Sequence, residues 1–267
     1  MAAAVCPPPN ISHKESWALL KELTALENTH PPSPTAPGNH RVLRIGHRGA
    51  AGHAPENTLA AIRRGIALGS DFVEVDVQST RDERLVLMHD TFVDRTTNGA
   101  GLVSELTWAE LQRLDAGNGE RVPSLEAALA AASGHAGVIL EAKTPGIGPA
   151  IHRAVQASDF SGPVIYASFL HADILAIRSI DPLARTMALI ESIPPAGVAF
   201  ARDANATLVG LAIDSAAPGF IAALHNAGLE VLLYTVNEPS LIRTAIHLGA
   251  DGIISDYPDR VPKTLPA

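Results

Sequence analysis

The chain has 267 residues, 46% of them hydrophobic, with a formal net charge of −8 and a single cysteine, Cys6. That apolar share is enough for one core of the barrel size class, and a lone cysteine excludes an intrachain disulfide, so burial must hold the fold and a reducing compartment is expected. The absence of Lys/Arg runs argues against a nucleic-acid partner; no uncharged apolar stretch approaches the ~18 residues of a membrane span, and a cytoplasmic protein is expected.

At the amino end, Met1 to Cys6 lacks the basic leader and apolar segment that export requires. Residues 16–27 read as one amphipathic helix, with Trp17, Leu20, Leu23 and Leu26 at helical spacing. Packing on the domain is its expected role, with partner contact or homo-oligomer formation as the alternative. The Pro-rich residues 29–38 then form an extended linker, so residues 1–40 are expected to be an extension and 41–267 the main domain.

From residue 42, β-branched runs alternate with Ala- and Leu-rich helical segments. Strands are predicted over 42–46, 72–77, 138–141, 164–167, 186–190, 208–213, 231–236 and 252–255, with helices including 58–68, 125–132, 172–180, 218–226 and 239–248. Eight parallel strands with crossover helices predict an α/β fold, a (βα)8 TIM barrel. The rival open doubly wound sheet would carry a GxGxxG turn after its first strand, and residues 46–52 lack that spacing. A short insertion, about 85–120, follows the second strand. Within it residues 85–88 alternate like an extra strand, and Leu106, Leu111 and Leu114 mark a small helix capped by Thr107 or Ser104. An insertion at this position lies on the face where barrels keep their active sites.

Four polar clusters end apolar runs: 46–49 with His47 and Arg48, 74–76 with Glu74 and Asp76, 89–90 with His89 and Asp90, and 141–143 with Glu141 and Lys143. Burying such groups is costly unless they are paired or bind a metal. Glu74 and Asp76 are two apart on one strand and share a face, and the barrel sets Glu141 beside them. Three carboxylates without Cys or a ligand-spaced His pair favour one hard cation, Mg²⁺ or Ca²⁺ with Mn²⁺ admissible; salt-bridged acids facing Arg48 and Lys143 are the structural alternative. His47 and His89 are candidates for an acid and a base. Arg48 offers a fork for phosphate and Lys143 a point charge. Asp90 orients His89 or caps the next turn, the turn being the favoured role. Asn57 or Thr58 is an N-cap, Glu56 a helix-dipole partner or a pocket residue, and His53 a solvent-facing loop residue.

Taken together, His47-Arg48-Gly49, Pro55-Glu56-Asn57-Thr58, Glu74-Val75-Asp76-Val77, His89-Asp90, Glu141-Ala142-Lys143, Tyr234-Thr235-Val236-Asn237 and the run 251–256 resemble the ordered signature of glycerophosphodiester phosphodiesterases. The resemblance implies a TIM barrel that hydrolyses small glycerophosphodiesters, such as glycerophosphocholine or glycerophosphoethanolamine, to an alcohol and sn-glycerol 3-phosphate, within lipid and glycerol metabolism. It also implies metal ligation by Glu74, Asp76 and Glu141 and acid/base roles for His47 and His89. Substrate contacts would come from Arg48, Lys143, Glu56, Phe169, Tyr234 and Asn237. Tyr234 stands where an indole is common and Ser255 where threonine is frequent, which touches the substrate wall rather than the reaction. Two alternatives stand beside it: lysophospholipase D-like activity on lysophospholipids, and a non-catalytic binder of glycerophosphodiesters.

Overall fold

The structure, a computed structural model, describes residues 41–263. The helix expected over 16–27 and its linker lie outside the described residues.

Nine strands are present among the described residues: β1 (Leu43–Gly46), β2 (Phe72–Ser79), β3 (Leu85–Leu87), β4 (Gly137–Ala142), β5 (Val164–Ser168), β6 (Arg185–Ile190), β7 (Leu208–Ala212), β8 (Glu230–Tyr234) and β9 (Gly252–Ser255). All except β3 pair in parallel, in the order β1-β9-β8-β7-β6-β5-β4-β2, and β1 also pairs with β2, so the sheet closes into the predicted (βα)8 barrel. β3 runs antiparallel along the end of β2, matching Leu87 to Val77. The helices are α1 (Leu59–Ala67), α2 (Trp108–Leu111), α3 (Leu125–Ala132), α4 (Gly148–Gln156), α5 (His171–Ile180), α6 (Ala199–Asp203), α7 (Pro218–Asn226) and α8 (Pro239–His247).

Two of these, α4 and α6, fall outside the helices named from the sequence. The start of α4 is hidden by the turn-like residues 144–149, although Pro149 suits a first helical turn and Ile151 and Val155 give it a buried face. The predicted strand over 208–213 ends at Ala212, after which Ile213–Ser215 form a 3-10 turn. No helix among the described residues is long and apolar enough to cross a membrane.

Alternation along the strands decides what faces the barrel axis. In β2, Val73, Val75 and Val77 point outward into a core with Ile62, Leu125 and Leu129, whereas Phe72 joins Ile45, Ile139, Ile165, Met187 and Ile254 in the interior plug. Glu74 and Asp76 share the inward direction of Phe72 but lie one and two inward positions nearer the carboxyl end. In register, Glu74 pairs with Ile139 and Asp76 with Glu141, so the apolar plug gives way to carboxylates at one level of the barrel.

The β1–α1 turn is built for close approach. Gly49 has φ +88, and a Cβ there would lie 2.5 Å from the backbone carbon of Ala61; a Cβ at Gly65 would lie 2.3 Å from the Gly49 carbonyl oxygen. α1 therefore packs directly on the turn that carries His47 and Arg48. Thr58 caps it by accepting from the Ala61 N–H, which contributes about 1 kcal/mol. The insert has its own small core of Val86, Val93, Val103 and Leu111, and its helix α2 starts at Thr107 in a reciprocal capping box with Glu110; Ser104 lies in a 3-10 turn and caps nothing.

Candidate active site

Glu74, Asp76 and Glu141 converge so that one oxygen from each lies within 4.8 Å of the others. Their hydrogen bonding is uneven. Glu74 Oε2 accepts from the Arg48 backbone N–H at 2.9 Å, while Glu74 Oε1 is buried with no partner among the described residues. Arg48 adopts a left-handed φ of 49 to make that bond, a conformation costing a bulky residue roughly 1–2 kcal/mol. Burial, then repulsion from Asp76, pushes the Glu74 carboxyl up to about 8. The same two causes, in the same order, raise Glu141.

Asp76 is held from the side. Its Oδ2 accepts from Asn57 Nδ2 at 2.8 Å, and its backbone N–H donates to Asn57 Oδ1 at 3.1 Å. Asn57 reaches this position at φ 56, in the left-handed region that asparagine tolerates. Lys143 Nζ lies 2.8 Å from Glu141 Oε1 and 3.6 Å from Asp76 Oδ1. Burial opposes its charge, but Glu141 and Asp76 outweigh that and raise its pKa. The Arg48 side chain bonds Glu56 Oε1 at 2.7 Å, and its buried Nε, without a hydrogen-bond partner among the described residues, lies 3.4 Å from Asp76 Oδ2.

Both histidines carry an aspartate on Nδ1. His47 Nδ1 is 2.6 Å from Asp256 Oδ1, and its Nε2 is 4.0 Å from Glu74 Oε2. Burial lowers the His47 pKa, yet the Asp256 hydrogen bond and the pull of Glu74 more than offset it, leaving a net rise. His89 Nδ1 is likewise 2.6 Å from Asp90 Oδ1. Asp90 is held well below the usual carboxylate range, chiefly by its hydrogen bond from Arg95. An Nδ1–H donated to carboxylate leaves Nε2 free to accept a proton, so both rings are set in one tautomer.

Six carboxylates, Glu56, Glu74, Asp76, Asp90, Glu141 and Asp256, thus meet three permanent cations, Arg48, Arg95 and Lys143. A formal excess of three negative charges, an unpartnered buried oxygen on Glu74 and an all-oxygen donor set together fit a hard divalent cation at Glu74, Asp76 and Glu141. Beside them opens a pocket of about 320 Å³ of free space, lined by His47, Glu74 and Glu141 and by the apolar Phe169, Leu189 and Tyr234. The Phe169 and Tyr234 rings meet edge-on with centroids 6.1 Å apart, and the Tyr234 hydroxyl donates to the Ile190 carbonyl.

Several sequence expectations change here. Asp90, expected as a turn cap, bonds His89 instead, both of its oxygens being taken by His89 and Arg95. Thr58 is the N-cap and Asn57 serves Asp76 instead. Glu56 is an ion-paired residue between Arg48 and Arg95. Asn237 gives Nδ2 to Asp256 Oδ2 at 2.6 Å, and its Oδ1 accepts from Ser255 and the Asp256 N–H. His53 sits on the surface, paired with Asp259. Asp256 and Arg95 have no role in the reading from sequence: Asp256 meets His47 from 209 residues away, and Arg95, although only five residues from Asp90, also bonds Glu56 39 residues away, which no local pattern records.

The profile of the Glycerophosphoryl diester phosphodiesterase family matches residues 47–260. The Bacillus subtilis protein YhdW is 35% identical over 237 residues, covering 82% of this chain and 96% of its own length. A glycerophosphodiester phosphodiesterase of Caldanaerobacter subterraneus subsp. tengcongensis is 32% identical over 237 residues, again covering 82% and 96%. Among solved structures, an Oleispira antarctica phosphodiesterase in complex with the product sn-glycerol-3-phosphate aligns with a TM-score of 0.78 at 28% identity, over 83% of this chain and 95% of that one.

Proposed function

The chain belongs to the glycerophosphoryl diester phosphodiesterase family, and from that premise we propose that it hydrolyses glycerophosphodiesters to an alcohol and sn-glycerol 3-phosphate using His47, His89 and one divalent cation. The observation that carries this reading is a carboxylate trio with the His47 imidazole beside it and the His89 imidazole tied to Arg48 of the same site through Asp90, Arg95 and Glu56, each ring with Nδ1 engaged by an aspartate. Glu74, Asp76 and Glu141 would hold Mg²⁺ or Ca²⁺, with Mn²⁺ an acceptable substitute. A bound divalent ion supplies Lewis acidity and neutralises phosphate charge.

The protein groups divide the remaining work. Arg48 and Lys143 bind the phosphate and stabilise charge growing on its equatorial oxygens. One imidazole accepts at Nε2 the proton of the nucleophile as the new O–P bond forms. The other, entering as imidazolium, gives its Nε2 proton to the leaving alkoxide as the old P–O bond breaks. The nucleophile is water or the glycerol 2-hydroxyl; in the second case a cyclic phosphate is opened by water with the two roles exchanged. Asp256, held by Asn237, and Asp90, held by Arg95, keep both rings in the working tautomer. Phe169 and Tyr234 supply an apolar wall to the substrate, and Glu56 aligns Arg48. The barrel from residue 41 onward is the catalytic unit. A cytoplasmic location belongs to the same proposal and rests on a chain with one cysteine.

The test is release of glycerol 3-phosphate from glycerophosphocholine and glycerophosphoethanolamine with Mg²⁺, Ca²⁺, Mn²⁺ or chelator. Chelator should abolish turnover, and His47→Ala and His89→Ala should each reduce it by about 10²- to 10⁴-fold. Near-wild-type turnover by both variants, or indifference to chelator, would refute the mechanism. Phe169 and Leu170 are 39% and 38% exposed, which favours lysophospholipids as a second substrate reading; parallel assays with lysophosphatidylcholine separate the two.

A further inference from the structure

Arg95 belongs to the insert, and half of its side chain is exposed to solvent. Exposed ion pairs usually contribute little, because solvent screens them and two long side chains must be ordered. The geometry at Arg95 is of another kind. Nε and Nη2 donate to Asp90 Oδ2 and Oδ1 at 2.5 and 3.1 Å, while Nη1 and Nη2 donate to Glu56 Oε2 and Oε1 at 2.8 and 2.7 Å. All three guanidinium nitrogens are used, and two carboxylates from separate turns are gripped in a bidentate manner.

Each carboxylate leads directly to a group of the site. Asp90 Oδ1 meets His89 Nδ1 at 2.6 Å. Glu56 Oε1 meets Arg48 Nη1 at 2.7 Å, and Arg48 Nε stands 3.4 Å from Asp76. Glu56 keeps its charge against burial because Arg95 and Arg48 both hold it. Released from Arg95, the Asp90 carboxylate would be free to rotate about its own side-chain bonds, and nothing else among its hydrogen-bond partners would fix the plane it presents to His89.

We propose that Arg95 is a positioning residue for the reaction: its fork fixes Asp90, and through it the His89 ring, and fixes Glu56, and through it Arg48. One residue of the insert thereby aligns a proton-transfer group and the phosphate-binding cation together. The insert is then part of the catalytic apparatus rather than a cover over the barrel.

This inference rests on the diesterase reading above, and its test uses Arg95→Gln and Arg95→Lys in the full chain. Arg81→Gln is the control, since Arg81 also ties the insert down, through Glu110 at 3.5 Å, but touches no group of the site. Arg95→Gln should lower kcat by about 10- to 100-fold while thermal stability stays close to that of the control. Arg95→Lys should recover only part of the rate, because an ammonium cannot fork onto two carboxylates. In the Asp90→Asn background, Arg95→Gln should add at most the small loss carried through Glu56. Independently of turnover, the ¹⁵N imidazole signals of His89 should move in Arg95→Gln and return toward wild type in Arg95→Lys. A wild-type protein inactive on every diester refutes the activity reading, and the His89 signals then still decide the role of Arg95. Unchanged kcat in Arg95→Gln with unmoved His89 signals, or losses that add fully to those of Asp90→Asn, overturns the proposal.

Discussion

Replacing Glu74 with glutamine isolates the cost of crowding three carboxylates where a cation fits. In chelator, the folded chain keeps the Glu74 proton up to about pH 8, because of burial first and Asp76 second, whereas the unfolded chain releases it near 4.5. Between those values the folded state binds more protons than the unfolded one, so folding stability falls as pH rises, by about 1.4 kcal/mol per unit for a full proton. The whole interval corresponds to ~5 kcal/mol. Glu141 is raised by the same two causes and stays in place, so removing Glu74 alone should relieve only part of this, roughly 2–3 kcal/mol at pH 8. Glutamine is isosteric, retains an acceptor for the Arg48 N–H, and can turn its amide toward the neighbouring carboxylates. For a barrel of this size that relief should raise Tm by about 5–10 °C. The assay is thermal denaturation of wild type and Glu74→Gln in chelator at pH 5 and pH 8. The variant should be the more stable at pH 8, with the gap nearly closed at pH 5. Mg²⁺ at about 1,000 times Kd should reverse the order, since it stabilises wild type by about 4.1 kcal/mol, more than the roughly 2–3 kcal/mol relieved, and the variant has lost a ligand. A variant less stable than wild type at pH 8 in chelator, or a gap independent of pH, would refute the account of the cluster.

Asp256→Asn would present an amide donor to His47 Nδ1 and force the wrong tautomer; kcat should fall by about 10²- to 10⁴-fold with the circular dichroism spectrum unchanged. Asn57→Ala removes both bonds to buried Asp76 and should cost about 2–3 kcal/mol in urea denaturation, with metal affinity reduced about 10-fold or more by calorimetry. Gly49→Ala sets a Cβ 2.5 Å from the Ala61 backbone at φ +88; urea denaturation should register a loss above about 2 kcal/mol, and a neutral result would show that α1 can move off the turn.

Most of the fold was legible because barrel strands and helices leave strong periodic traces. The alternation of Val73, Val75 and Val77 with Glu74 and Asp76 distinguishes the two faces of β2. Short helices with turn-like starts escaped: in α4 the Pro and Gly residues before Ile151 read as loop, and α6 spans only Ala199–Asp203. In the site, residue type and strand position were enough to pick out the carboxylates, His47, Arg48 and Lys143, which lie together, while His89 lines a neighbouring pocket with Glu56 and Asn57. The turn role expected for Asp90 and the capping role open to Asn57 were local readings. Each was displaced by a partner the chain brings in from another element or an adjacent turn.

What the amino-acid sequence determines by itself is therefore what depends on spacing along one chain segment: the βα repeat, the shared face of Glu74 and Asp76, the small helix of the insert, and the chemistry available at strand ends. What only the tertiary structure decides is which charge each of those groups meets. Asp256 reaches His47 across the closure of β1 on β9, and Arg95 reaches Glu56 from the insert, so the His47 ring and the Arg48 fork are set by contacts between segments far apart in sequence, whereas the His89 ring is set within its own loop by Asp90 and Arg95. Hydrogen bonds act over about 3 Å in space whatever the separation along the chain, and strand periodicity carries no record of them.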